Sequence, residues 1–404
     1  MWNNLPTEIS TNILHRLPVK TLIKCTILSK SFFNLITNQP FISDHIAQNA
    51  NSHLLLRYFT HDEEEMYHFE PDDHTFSGFQ TDGLIVPFHN YIGDCFTVAG
   101  CVNGVLCLVN DFSAEGTLII LWNPSIRKFV HVPRPIIVFD THGAYKSVCG
   151  FGFDSISDDY KVVRLVELDN GIDLGFGVSA EMKVEVYSLK SECWRVIGVG
   201  PGCSIKKIYG FGYTPRFING CVYFLGLSYS DQNYENVLLK FNMCTESFEI
   251  IQLTGVLKLT ELGFTDDLFV PESNRVVTLI KSIYNDAGMT CSCSAWILKE
   301  DGDVKSWTKI CDIDIGKLRP HGMVMAFSFR KNGEVITVKY GQDCYGRKEN
   351  VVDLIDLVTH SRTTLREISA DRYSFYLSTY VESMVLFKEG KGIEEQNTPL
   401  KFVN

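Results

Sequence analysis

The sequence predicts a small all-α unit of three short helices followed by a large all-β domain, which is expected to be a six-bladed β-propeller. Three observations carry that reading. Residues 1–48 hold apolar residues at helical spacing. Residues 52–404 show no long helical periodicity and break into short β-branched and aromatic runs between turn residues. Within that second region, a polar, turn-forming spacer with flanking apolar or aromatic residues recurs six times at intervals of 53 to 65 residues.

The helical unit comes first. Leu5, Ile9, Ile13, Leu14 and Leu17 mark one apolar stripe. Pro6 suits a first helical turn, where its missing N–H is not needed, and Glu8 suits the positive helix start. Pro18 breaks the helix because it cannot donate to a continuing one. A second apolar set follows at Leu22, Cys25 and Leu28, and a third at Phe32, Leu35 and Ile36. Three such helices bury little surface alone. The unit therefore either packs on its own domain or offers an apolar face to a partner.

In order and spacing, the runs Leu5-Pro6-Thr7-Glu8-Ile9, Ile13-Leu14-His15-Arg16-Leu17-Pro18-Val19-Lys20-Thr21-Leu22, Cys25, Leu28-Ser29-Lys30-Ser31-Phe32 and Leu35-Ile36 closely resemble an F-box. The resemblance implies an F-box domain over residues 1–48 that binds a Skp-family adaptor, which bridges to a cullin scaffold. It also implies that Leu5, Pro6, Ile9, Leu14, Leu17, Pro18, Leu22 and Cys25 supply the apolar contact. Phe32 stands where many relatives carry Trp, which implies altered packing with binding kept. Without a partner, the same helices would be a cap on the following domain.

The repeat emerges when hairpins are aligned. Phe69 and Phe76, Trp122 and Phe129, Tyr187 and Trp194, and Phe241 and Phe248 each flank six polar, turn-forming residues. A fifth copy runs from Leu298 to Trp307 with a longer loop, and a sixth from Ile355 to Ser361 lacks the closing aromatic. The leading anchors lie 53, 65, 54, 57 and 57 residues apart, with apolar runs such as 104–109, 160–166 and 220–225 between them. Four strands per period is the arithmetic of a propeller blade, and six periods give six blades. The strand-like 54–59 near the start, with 374–377 and 381–387 near the end, would join in one blade and leave no free edge. A two-sheet β-sandwich is the alternative.

This region also resembles a family. The phrases Asn103-Gly104-Val105-Leu106-Cys107, Trp122-Asn123-Pro124-Ser125-Ile126-Arg127-Lys128, Gly150-Phe151-Gly152-Phe153-Asp154, Asp159-Tyr160-Lys161-Val162-Val163 and Val184-Glu185-Val186-Tyr187-Ser188-Leu189 are similar to those of the F-box-associated domain of plant F-box proteins. That resemblance implies an F-box-associated propeller domain over residues 52–404.

Composition narrows the function classes. With 45% hydrophobic and 21% charged residues, the chain can build a sizeable core. The formal charge is −11, but residues 1–50 sum to +2 from Arg16, Lys20, Lys24 and Lys30 against Glu8 and Asp44, so the body carries −13. An acidic body argues against nucleic acid as a partner. No apolar run is long enough to span a membrane. Thirteen scattered Cys, an odd count, point to a reducing compartment, cytosol or nucleus.

No motif demands a cofactor or metal. Cys291-Ser292-Cys293 lacks the second ligand pair of a zinc site. Gly150-Phe151-Gly152 and Gly210-Phe211-Gly212 lack the third glycine of a dinucleotide fingerprint and indicate tight backbone packing where a strand starts. The pairs Asp72-Asp73, Asp158-Asp159 and Asp266-Asp267 lie in turn-rich contexts and are expected to be solvated loop acids. The resulting expectation is a non-catalytic, substrate-recognition subunit of an SCF-type (Skp-cullin-F-box) ubiquitin ligase. Its target contacts would sit on exposed loops such as Asp231 to Asn236 and Asp343 to Lys348. The rivals are an adaptor-independent scaffold and a propeller hydrolase or oxidase working at the central channel.

Overall fold

The structure is a computed structural model and describes residues 6–48, 53–60, 64–79, 83–85, 96–111, 117–168, 182–198, 205–208, 214–230, 233–253, 255–257, 266–269, 276–284, 290–301, 304–318, 322–342, 348–368, 375–386 and 391–392. The chain opens with four helices, α1 (Thr7–His15), α2 (Val19–Thr26), α3 (Lys30–Ile36) and α4 (Gln39–Gln48). Pro6 and Pro18 immediately precede α1 and α2, where no N–H is required. Ser29 Oγ accepts from Phe32 N at 3.1 Å and Asn38 Oδ1 from Phe41 N at 2.8 Å, capping α3 and α4. The sequence predicts three helices, and α4 is an addition to them. Pro40 occupies the first turn of α4, where its ring is tolerated.

Six antiparallel sheets follow. The first takes β1 (His53–Phe59), β2 (Glu65–Pro71) and β3 (Leu84–Ile85). The second is β4 (Thr97–Val102), β5 (Val105–Asn110), β6 (Leu118–Asn123) and β7 (Lys128–Val132). A short helix, α5 (Phe139–His142), leads to the third sheet of β8 (Tyr145–Asp154), β9 (Asp159–Leu168), β10 (Met182–Ser188) and β11 (Cys193–Ile197). In the fourth, β12 (Ile205–Ile208) and β13 (Arg216–Ile218) both pair with β14 (Cys221–Ser230), followed by β15 (Asn233–Asn242) and β16 (Ser247–Gln252). The fifth is β17 (Asp266–Phe269), β18 (Thr278–Tyr284), β19 (Thr290–Asp301) and β20 (Val304–Lys317). The sixth is β21 (Met323–Phe329), β22 (Val335–Gln342), β23 (Lys348–Ile355) and β24 (Arg362–Ile368). The chain then returns: β25 (Tyr376–Tyr380) pairs with β1, with Leu377 opposite Leu56, and β26 (Lys391–Gly392) pairs with β7. This is a six-bladed propeller whose first blade is sealed by its last inner strand, not a sandwich.

Five of the six predicted hairpins are in register. Trp122 faces Phe129, Tyr187 faces Trp194, Phe241 faces Phe248, Leu298 faces Trp307 and Ile355 faces Arg362. The polar spacers recur for a physical reason. Their first residues, Asn123, Ser188, Asn242 and Asp356, each accept a backbone N–H two or three residues on, at 2.7–3.1 Å. Arg127, Glu192, Glu246 and His360 then take a left-handed conformation, with φ of 52° to 55°. The Phe69–Phe76 hairpin does not form. Arg330 Nε reaches Asp72 Oδ1 at 2.9 Å and draws that segment toward the sixth blade, with Phe76 under its guanidinium at 4.4 Å. The partner of β2 is instead β3.

Polar contacts latch all six blade junctions. Ser125 N donates to Tyr380 Oη (3.2 Å), Asn103 Nδ2 to Tyr160 Oη (3.1 Å), and Lys161 Nζ to Glu246 Oε1 (2.9 Å). Trp307 Nε1 donates to Gln252 O (3.2 Å), Arg362 Nη1 to Ile315 O (2.6 Å), and Arg330 to Asp72. Two of the acids expected to be solvated are therefore structural. Asp72 is buried in its ion pair, and buried Asp159 accepts from Ser188 Oγ at 2.5 Å and Lys190 N at 2.9 Å. Burial alone would raise the Asp154 carboxyl, but hydrogen bonds from Cys244, Lys161 and Ser157 outweigh it and hold it well below the usual range.

The inner strands pack through glycine. A Cβ on Gly150 would lie 2.5 Å from Val222 Cγ1 and 2.7 Å from Phe224 Cζ, and one on Gly152 would lie 2.7 Å from Phe217. Gly210-Phe211-Gly212 falls outside the described residues. Gly150→Ala is expected to destabilise the propeller by about 1–3 kcal/mol through overpacking, read as a lower urea midpoint with an unchanged slope.

Candidate partner-docking surface

Helices α1–α4 lie against the propeller face that carries the short turns. A single apolar cluster runs from Leu14, Val19, Leu22, Ile36, Phe41 and Ile42 through Met384–Leu386 into blades two and three. Gln39 Nε2 donates to Asp158 Oδ1, in the β8–β9 turn, at 2.9 Å. Within the bundle, His45 Nε2 donates to Leu17 O at 3.0 Å, Gln48 Nε2 to His15 Nδ1 at 3.2 Å, and the His15 and Phe41 rings stand 4.4 Å apart.

One side of the helices thus faces the propeller, and the other stays apolar in solvent. Pro6, Ile9, Ile13, Pro18, Ile27, Leu28 and Phe33 are exposed, Ile27 by 84% and Leu28 by 66%. Among the residues predicted to touch a partner, Pro6, Ile9 and Pro18 are exposed, while Leu17 and Cys25 are half-buried against the cluster. Leu14 and Leu22 are buried and pack the helices internally, so they hold the surface in shape rather than form it. Leu5 falls outside the described residues. The α1 stripe divides because it is wide. From Ile9 through Ile13 and Leu17 to Leu14 it spans about 140° of helix at 100° per residue, so its two edges face different neighbours.

Ile27, Leu28 and Phe33 are contact candidates that the predicted set omits. Two consecutive apolar residues in a turn, just before the Ser29 cap, cannot both turn inward, and that was the available signal. Around them, Arg16, Lys20, Lys24 and Lys30 are exposed, which suits an acidic partner.

Burial pushes the His15 imidazole below its ordinary 6.5, with Asp44 opposing and His45 adding to the fall. A histidine kept neutral by the fold stabilises it fully above the unfolded value, and that contribution is lost as pH falls below about 6.5. Amide protection in α1 and α4 is therefore expected to drop between pH 7.5 and pH 5.5, and His15→Gln to remove the dependence. Hydrogen exchange corrected for intrinsic rate reads this.

Arg216 Nη2 crosses from blade four to donate to Leu377 O in blade one at 3.0 Å, with its guanidinium 4.7 Å from the Tyr376 ring. Cys291 and Cys293 sit on one buried face of β19 with sulfurs 3.4 Å apart. Among the described residues, no three His, Cys, Asp or Glu side chains are grouped to hold a metal, and no helix is long and apolar enough to cross a membrane.

The longer connections leave from the opposite face. There β7 ends at Val132 and β8 begins at Tyr145, with Ile136 (45% exposed) and Phe139 (68% exposed) displayed between them. This segment is held from below. Glu185 Oε2 accepts from Ile136 N at 3.0 Å and Ile137 N at 3.1 Å, and Glu185 Oε1 accepts from Arg164 Nη1 at 2.5 Å, both side chains fully buried. Of the predicted loop positions, residues 231–232 and 343–347 fall outside the described residues, Asn233 to Asn236 belong to β15, and Lys348 opens β23.

Comparison with known proteins agrees with this geometry. The F-box domain family matches residues 2–44, and the family described as F-box associated beta propeller domain matches residues 55–366. F-box protein CPR1 of Arabidopsis thaliana is 25% identical over 410 residues, covering 96% of this chain and 90% of that protein. F-box/kelch-repeat protein At3g23880 of the same plant is 23% identical, covering 89% of this chain and 95% of its own. F-box protein At4g22390 is 25% identical over 76% of this chain and 73% of its own. The chain belongs to the F-box associated beta propeller family, with an F-box domain ahead of the propeller.

Proposed function

We propose that this protein is the substrate-recognition subunit of an SCF-type ubiquitin ligase. In this reading residues 1–48 are the F-box domain and bind a Skp-family adaptor, and through it cullin. Residues 52–404 present a target protein to the complex from the opposite propeller face, where Ile136 and Phe139 are candidate contacts. The observation that carries the reading is the apolar surface of α1–α3, left in solvent while the same helices are anchored to the propeller behind. An exposed cluster of that kind marks a protein partner, and the family supplies its class. Catalysis would then be proximity: a ubiquitin-loaded conjugating enzyme brought near target lysines gains effective concentration. This chain would donate no acid, base or nucleophile, and it would act in the cytosol or nucleus, where the adaptor and cullin work. Retention of the purified full-length chain on an immobilised plant Skp adaptor tests the proposal. Failure to be retained at micromolar concentration would remove it. Deleting residues 1–48 is the poorer control, because it would uncover apolar side chains of blades two and three.

A further inference from the structure

A short segment near the end of the chain shares one apolar cluster with the helices and with blades two and three. The sequence suggests a strand over residues 381–387, but Val381–Leu386 forms none. It crosses the turn face as irregular backbone, and Ser383, Met384, Val385 and Leu386 are all buried. Irregular buried backbone needs bonding partners, and blade two supplies them. Asn123 Nδ2 donates to Ser383 O at 3.0 Å and Val385 O at 2.8 Å, and Ser383 Oγ donates to Asn103 O at 2.6 Å. Gly104, at φ +79°, allows the close approach, since a Cβ there would meet Val381 O at 2.4 Å. Met384, Val385 and Leu386 then join the same apolar cluster as Leu14, Leu22, Phe41 and Ile42 of the helices. Leu386 adopts φ +67°, a conformation bulky L-residues avoid. Such local strain persists only where surrounding contacts impose it.

We infer that Met384, Val385 and Leu386 are positioning residues that fix the helical unit on the propeller, so that the angle between its exposed apolar face and the opposite loop face is set by this C-terminal wedge. The polar residues of Asn103-Gly104 and Asn123 are the seat that holds the wedge. The consequence for ubiquitin transfer rests on the ligase reading above; the mechanical claim does not. A rigid wedge keeps the target at one distance from the conjugating enzyme, and a loosened one spreads that distance.

The test uses full-length chain with spin labels on unnatural residues introduced at Lys20, exposed on α2, and Val358, exposed in the β23–β24 turn. Pulsed electron–electron resonance should give one narrow distance in the parent chain. In the Met384→Asp/Leu386→Asp chain the distribution should broaden by about two-fold or more, while the propeller's near-ultraviolet dichroism is unchanged. Should that double variant fail to fold, the milder Leu386→Ala chain carries the same readout with a smaller broadening. A folded variant with the parent's distance and width overturns the inference. Binding of a purified Skp adaptor, measured on the same samples, separates the two claims. Broadening without adaptor binding in the parent chain sinks the ligase reading and leaves the wedge standing.

Discussion

Replacing Ile27 and Leu28 together by Asp is expected to weaken binding of a Skp adaptor by about 100-fold or more, equal to about 2.8 kcal/mol, with no fall in thermal stability. The two side chains are the most exposed large apolar residues of the helices and contribute little to the folded chain alone. Buried in an apolar interface, two carboxylates without partners are costly. The control is Leu22→Ala. Leu22 is fully buried, so truncation should destabilise by about 2–5 kcal/mol and lower adaptor binding only through lost helix packing. Isothermal titration and thermal melts on the same samples separate the two. Adaptor affinity that survives the double Asp change would move the contact away from the α2–α3 turn.

Arg164→Met is expected to destabilise the propeller by about 3–5 kcal/mol. Arg164 and Glu185 face one another in β9 and β10, both fully buried, and removing one partner leaves a charge without compensation. Arg164 also donates to Ile137 O at 2.9 Å and Thr117 Oγ1 at 3.2 Å, so the loss reaches the loop-face connection. The Arg164→Met/Glu185→Leu double change should be less destabilising than Arg164→Met alone, because a buried pair replaced by apolar groups of similar volume is often neutral. Urea unfolding of the four chains in a double-mutant cycle measures the coupling. A double variant as unstable as the sum of the singles would contradict a specific pair. Arg57 and Glu65 form a second buried pair in blade one at 2.7 Å, set diagonally across β1 and β2, where Arg57 also holds Phe96 O.

The propeller was readable because its turns are locally determined. Asn123, Ser188, Asn242 and Asp356 bond their own backbone, and the residues flanking them pair directly across the strands, so the repeat survives in sequence. Closure was readable from the strand-like runs near both ends, although the closing strand β25 runs over Tyr376–Tyr380 rather than 374–377. What escaped depends on distant partners. Asp72 reads as a loop acid until Arg330, 258 residues on, claims it. The wedge at 383–386 has strand-like composition, and its irregular path follows from Asn103, Gly104, Asn123 and the apolar cluster it joins. On the helices, the apolar stripe was visible, but which edge faced solvent depended on the propeller behind it. Leu14 and Leu22 therefore looked no different from Ile9.

The most direct test of the ligase role is assembly. The full-length chain would be mixed with equimolar plant Skp adaptor and the adaptor-binding portion of cullin, then passed over a sizing column with light-scattering detection. One species with the summed mass of the three components is expected, lost when Ile27 and Leu28 are both Asp. A chain that elutes alone, beside an intact adaptor–cullin complex, would contradict it.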